Sequence, residues 1–136
     1  MKYIFGHRPS MDPTEFSTLD RALNYLRNEL PNQEAFRYRT TYNLRQVDSI
    51  IFSFDGELLA ELVVGGETSP TDQDEKDYSK ARKVYLIDEV RIFRERTRRA
   101  ADFGLTPSQF GTKVPEEAYA QLIEKVGGFE QIIKKQ

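Results

Sequence analysis

Ser49-Ile50-Ile51-Phe52-Ser53-Phe54-Asp55-Gly56-Glu57-Leu58-Leu59-Ala60-Glu61-Leu62-Val63-Val64 is the stretch that decides the fold class. Two apolar runs flank Asp55-Gly56, and Asp-Gly is the strongest short hairpin signal, because a type I′ turn needs positive φ at both central residues. A two-residue turn pairs Phe54 with Glu57 and Phe52 with Leu59. It sets Ile50, Phe52 and Phe54 on one face, with Ile51, Leu58 and Ala60 on the other. Apolar groups on both faces make this a central hairpin rather than an edge. Gly65-Gly66 then ends the second strand.

Working upstream, Tyr3, Ile4 and Phe5 read as a short first strand broken at Gly6, with a loop from His7-Arg8-Pro9. Asp12-Pro13-Thr14-Glu15 and Ser17-Thr18-Leu19-Asp20 are both helix-start signals, a capping residue before the first turn. Leu19, Ala22, Leu23, Leu26 and Leu30 recur at helical spacing, and Pro31 stops the helix. Phe36-Arg37-Tyr38-Arg39-Thr40-Thr41-Tyr42 alternates as a half-buried strand does. Downstream, Glu67 to Lys80 is a polar, acidic surface loop. Val84-Tyr85-Leu86-Ile87 and Val90-Arg91-Ile92-Phe93 form a strand bent near Asp88-Glu89. Pro115 opens a last helix with an apolar stripe of Ala118, Tyr119, Leu122, Ile123 and Val126, capped by Gly127-Gly128. Phe129, Ile132 and Ile133 suggest a closing turn of helix. No repeat or linker interrupts the 136 residues. The expectation is one α+β domain over 1–136, a small, strongly curved antiparallel or mixed sheet with helices at its ends.

Composition removes several functions. There is no cysteine, so thiolate catalysis, zinc fingers and disulfides are excluded. His7 is the only histidine, so a His-rich metal site cannot be built and a Ser-His-Asp triad would have to use that residue. Gly111-Thr112-Lys113 has the end of a phosphate loop without the upstream glycine, and no dinucleotide fingerprint follows the first strand. No cofactor is expected. The acidic residues Asp72 to Asp77 lack calcium-loop spacing. An enzyme here would work with Lys, Thr, Tyr, Asp and Glu. No apolar run reaches membrane-spanning length and the start has no signal-peptide shape, so a cytoplasmic setting without a membrane partner is expected.

The formal charge is −2, so a nucleic-acid role requires a local basic face. Three constellations offer one. Phe36, Tyr38 and Tyr42 share one face of a strand whose other face carries Arg37 and Arg39, and rings that stack on bases beside guanidiniums suit single strands or a flipped base. The bland alternative puts those rings in the core and the arginines in water. Arg91, Arg94, Arg96, Arg98 and Arg99 form the densest positive run, able to track phosphates or, blandly, to pair with Glu95 and the acidic loop. His7-Arg8 at a strand end could orient a ligand.

Val47-Asp48-Ser49-Ile50-Ile51-Phe52, the Phe54 to Leu62 hairpin and Tyr85-Leu86-Ile87-Asp88-Glu89-Val90-Arg91-Ile92-Phe93 resemble the PUA-like superfamily, which includes the ASCH and EVE domains. The opening Lys2-Tyr3-Ile4-Phe5 and the helix after it fit the same order. The resemblance implies a barrel-like sheet flanked by helices, with RNA or modified-base binding in a cleft beside the first helix; some ASCH members are small hydrolases. His7, Arg8, Phe36, Tyr38, Arg39 and Thr40 would line that cleft. The leading expectation is a nucleic-acid-binding module that reads a modified or extruded base, with Arg37, Arg39 and the Arg91 to Arg99 run on phosphates. The alternatives are an ASCH-type hydrolase and a protein-interaction domain.

Overall fold

A computed structural model describes residues 1–11, 16–33, 35–38, 46–69, 72, 83–108 and 111–135. Asp55 and Gly56 take φ of 51° and 83°, as the Asp-Gly turn requires, and join β3 (Ser49–Phe54) to β4 (Glu57–Thr68). Every residue of β3 is buried, so the hairpin is central, as its two apolar faces demand. The register differs from a plain two-residue turn in one respect. Phe54 pairs with Glu57, but Phe52 pairs with Ala60 instead of Leu59, because a bulge interrupts the ladder between Phe52 and Ser53. The extra residue sends both Leu59 and Ala60 to the face of Phe52, leaving Leu58 opposite with Ile51.

Around the hairpin lie β1 (Lys2–His7), β2 (Ala35–Tyr38), β5 (Lys83–Phe93), β6 (Thr112–Val114) and β7 (Phe129–Lys134). They form one seven-stranded sheet in the order β2-β5-β4-β3-β1-β6, with β7 beside β5. β1 runs parallel to β3 and every other pairing between these strands is antiparallel, so the sheet is mixed. β2 and β7 share the outer edge of β5, β2 along Lys83–Leu86 and β7 along Glu89–Phe93. Among the described residues β6 does not pair back to β2 or β7, so the sheet is not closed into a barrel. It is nevertheless curled. Three strand spacings separate β5 from β1, roughly 14 Å in a flat sheet, yet the Tyr85 and Phe5 rings lie 6.1 Å apart. The curl follows from register shifts at Val63, Val64 and Gly66 opposite the bend that Asp88-Glu89 suggested.

Four boundaries depart from the sequence reading. β1 continues through Gly6 to His7, and β4 runs through Gly65 and Gly66 to Thr68, because each segment keeps a ladder partner. Phe129 to Lys134 is a strand rather than a helical turn, since it completes the open edge of β5. The first helix does not stop at Pro31. Thr18 caps α1 (Leu19–Asn24), accepting from the Arg21 amide at 3.2 Å. A π-helical turn then spans Tyr25–Glu29, and a 3₁₀ turn Leu30–Asn32 carries Pro31 near its start, where proline's missing N–H costs nothing. The Asp12 start signal and most of the acidic loop lie outside the described residues.

The sheet carries a separate core on each face. On one side α1 and the two turns that follow it seal Phe5, Phe52, Leu59, Leu62, Tyr85 and Ile92 with Ala22, Leu26 and Leu30. On the other, α2 (Glu116–Lys125) and a 3₁₀ turn, Ala100–Phe103, cover Ile4, Ile51, Leu58 and Phe93 with Leu122 and Val126. Gly127 and Gly128 end α2 with φ of 71° and 75°. No helix among the described residues is long and apolar enough to cross a membrane.

Candidate functional site

β1 delivers His7 to the rim of the α1-side core. The imidazole stacks on Phe52 with ring centroids 4.0 Å apart and planes 14° from parallel. The Phe16 ring meets His7 edge-on at 5.8 Å and Phe52 at 5.7 Å, and Tyr25 lies 5.0 Å from Phe16. His7 Nδ1–H donates to the Ser53 carbonyl at 3.0 Å, which fixes the tautomer. Burial among these rings lowers the imidazole pKa to about 4 against that hydrogen bond, so His7 is neutral near pH 7. His7, Phe16 and Tyr25 are half-buried while Phe52 is sealed beneath them, and exposed Arg8 follows directly. The result is a rim of aromatic rings at the end of β1, with exposed Arg8 next in the chain, a setting suited to planar, uncharged ligands.

The local backbone marks the same place. Tyr25 opens the π-helical turn, and π turns interrupt α-helices rarely and often at functional sites. Nothing in the helical periodicity of Leu19 to Leu30 announces it. Phe16 and Tyr25 were not candidates from sequence, since Phe16 precedes the helix cap and Tyr25 falls outside the apolar stripe.

Of the other predicted residues, Phe36, Arg37 and Tyr38 occupy β2, where Phe36 is in register with Tyr85 and Tyr38 with Lys83. Arg39, Thr40 and Tyr42 lie outside the described residues. Every arginine of the Arg91 to Arg99 run has a partner within the chain. Arg91 Nε donates to Glu89 at 2.9 Å, and its guanidinium lies 5.4 Å from the Phe129 ring centre. Arg94 donates to the carbonyls of Gly127 and Phe129, both at 3.2 Å. Arg96 donates to the Phe93 carbonyl at 2.7 Å and to Glu130 at 2.8 Å, and the Arg96 hydrogen bond holds the Glu130 carboxyl below its usual range. Arg98 pairs with Glu95 at 3.3 Å, and Arg99 donates to the Asp55 carbonyl at 2.9 Å. These contacts tie the end of β5 to β7, to the end of α2 and to the hairpin turn.

The opposite face holds a polar constellation that the sequence reading missed. Glu61, 1% exposed in the middle of β4, accepts from Lys2 Nζ at 3.1 Å, from the Tyr119 hydroxyl at 2.6 Å and from Ser49 Oγ. Lys2 Nζ also sits 4.2 Å from the centre of the Tyr119 ring. Burial, then the hydrogen bond to Glu61, push the Tyr119 phenol well above its ordinary pKa. The available signal was a carboxylate inside an apolar run predicted to be buried on both faces. No group of three or more metal-ligating side chains forms among the described residues.

Comparison of the chain with family models, with characterised proteins and with solved structures finds no match.

Proposed function

We propose that the chain is a nucleic-acid-binding module that receives an unpaired, modified or extruded base at the aromatic rim beside α1. The observation that carries this is the half-buried set of His7, Phe16 and Tyr25 over Phe52, with a neutral imidazole and exposed Arg8 next in the chain. Bases stack on aromatic faces of this kind whatever their sequence. The PUA-like resemblance belongs to the same proposal, supported by the element order and by the curl that brings Tyr85 to Phe5. Arg37, Arg39 and the Arg91 to Arg99 run are the proposed phosphate contacts; for the latter run, phosphates would compete with the internal partners.

Fluorescence anisotropy with single-stranded oligonucleotides over a salt series tests the proposal. Binding that weakens as salt rises, and that Phe16→Ala reduces about tenfold or more, supports it, since one stacked base is worth ~1–3 kcal/mol. No binding at low salt to plain or modified strands sinks it.

One observation favours a second reading, an ASCH-type hydrolase acting on a small nucleoside or RNA. Lys2, Glu61 and Tyr119 are joined by hydrogen bonds, the residue types that acid–base chemistry without histidine would use. Turnover of modified cytidines or RNA that disappears in Lys2→Met supports this reading; the absence of turnover across the pH range counts against it.

A further inference from the structure

Two cations converge on one exposed carboxylate near the start of β7. Arg27, from the π-helical turn, and Arg96, from the segment after β5, both donate to Glu130 Oε2, at 3.1 and 2.8 Å. The carboxylate is the outermost of the three, its side chain 44% exposed against 32% for Arg27 and 24% for Arg96. Arg94 meets the same segment, donating to the carbonyls of Gly127 and Phe129, and forms no ion pair among the described residues. Three arginines thus reach residues 127–130, and Glu130 answers two of them.

Exposed ion pairs of this kind add little to stability. One oxygen shared by two guanidiniums also leaves both planar forks partly used. A phosphodiester carries a full negative charge on two non-bridging oxygens, so it can offer each guanidinium an oxygen of its own. Arg27 shares its turn with Tyr25, whose ring packs on Phe16 at the aromatic rim. One short element therefore carries a ring for stacking and a cation for phosphate.

Resting on the nucleic-acid proposal, we infer that Arg27 and Arg96 form a site for a backbone phosphate and that Glu130 is its built-in occupant, which the phosphate displaces on binding. Glu130 then sets the affinity of the free protein by competing for its own cations.

The test is anisotropy with a fluorescein-labelled oligo(dT) of about ten nucleotides, a length within the usual single-strand site size. Glu130→Gln keeps the shape and removes the charge. It is expected to bind about fivefold more tightly than wild type, the size of two exposed ion pairs that no longer have to break. Glu116→Gln makes the same charge change at an exposed position that opens α2, on the other side of the sheet, and is expected to bind as wild type does. Arg27→Gln is expected to weaken binding and to abolish most of the gain from Glu130→Gln. Equal binding by wild type and Glu130→Gln overturns the inference while leaving the base-binding proposal standing. The same gain in Glu116→Gln also overturns it, because net charge then explains the effect. So does a gain that persists undiminished with Arg27→Gln. If none of the proteins binds at low salt, the nucleic-acid proposal itself fails and the phosphate site falls with it.

Discussion

The two faces of the sheet handle buried polarity in opposite ways. Beneath α2, Glu61 is sealed from water and receives hydrogen bonds from Lys2, Ser49 and Tyr119, so its charge is compensated inside the chain. Beneath α1, the Tyr85 hydroxyl is sealed and unpaired among the described residues, and a neutral histidine sits at the rim among rings. A satisfied network needs nothing from outside and fixes how its elements dock. The Tyr85 hydroxyl lacks such compensation among the described residues. The contrast separates a compensated polar network on the α2 side from the α1 side, on which we propose recognition; the hydrolase reading would reverse that proposal.

The sharpest way to break the comparison is at Glu61. Glu61→Ala is expected to destabilise the protein by about 3 kcal/mol, the low end for breaking a buried pair, because Lys2 with a side chain 34% exposed can turn to water. The triple variant Lys2→Met, Glu61→Leu, Tyr119→Phe is expected to cost much less, since it removes every partner together. Denaturant titration measures both; a larger loss in the triple variant would mean that the network contributes net stability.

His7 supplies the next effect. Its folded pKa lies near 4 against 6.5 unfolded, so between those values the unfolded chain binds more protons and stability falls as pH drops. The full loss is at most roughly 3.5 kcal/mol, by linkage at ~1.4 kcal/mol per pH unit. Denaturation of wild type and His7→Phe from pH 7 to pH 4 is expected to show a steeper decline in wild type. Parallel curves would remove burial of the imidazole from the account.

A smaller effect is expected at the hairpin turn. Gly56 holds φ of 83°, and a Cβ there would lie 2.3 Å from Arg99 Nη2. That guanidinium can swing aside, so Gly56→Ala is expected to cost about 1 kcal/mol from the backbone alone. Thermal melts read it, and adding Arg99→Ala should not restore the loss. The smallest effect belongs to Glu130→Gln. Glu130 is an exposed acceptor for Arg27 and Arg96, and its replacement is expected to leave the melting midpoint nearly unmoved.

Much of the scaffold was legible because it depends on local chemistry. Asp55-Gly56 fixes its turn by backbone conformation, Thr18 its cap by one side-chain oxygen, and Gly127-Gly128 the end of α2 by positive φ. The misread boundaries share a different cause. Gly6, Gly65 and Gly66 look like strand breakers, and Phe129 to Ile133 looks like a helical turn, until a neighbouring strand offers each a ladder. The bulge at Phe52 is equally invisible, because one added residue leaves the alternation of apolar side chains intact over short runs.

The site divides along the same line. His7 and Arg8 could be named from sequence as a cation and a titratable ring at a strand end. Phe16 and Tyr25 could not, because an aromatic residue reads as core until its neighbours are known. Composition and local pattern alone determined the α+β class, the central hairpin, the two helices and the absence of cysteine or histidine-rich chemistry. Only the tertiary structure decided which strands share an edge, which rings gather at the end of β1, and that Glu61 is paired while the Tyr85 hydroxyl has no partner among the described residues. Partnership of a buried polar group depends on residues far apart in the chain, and local sequence carries no record of that distance.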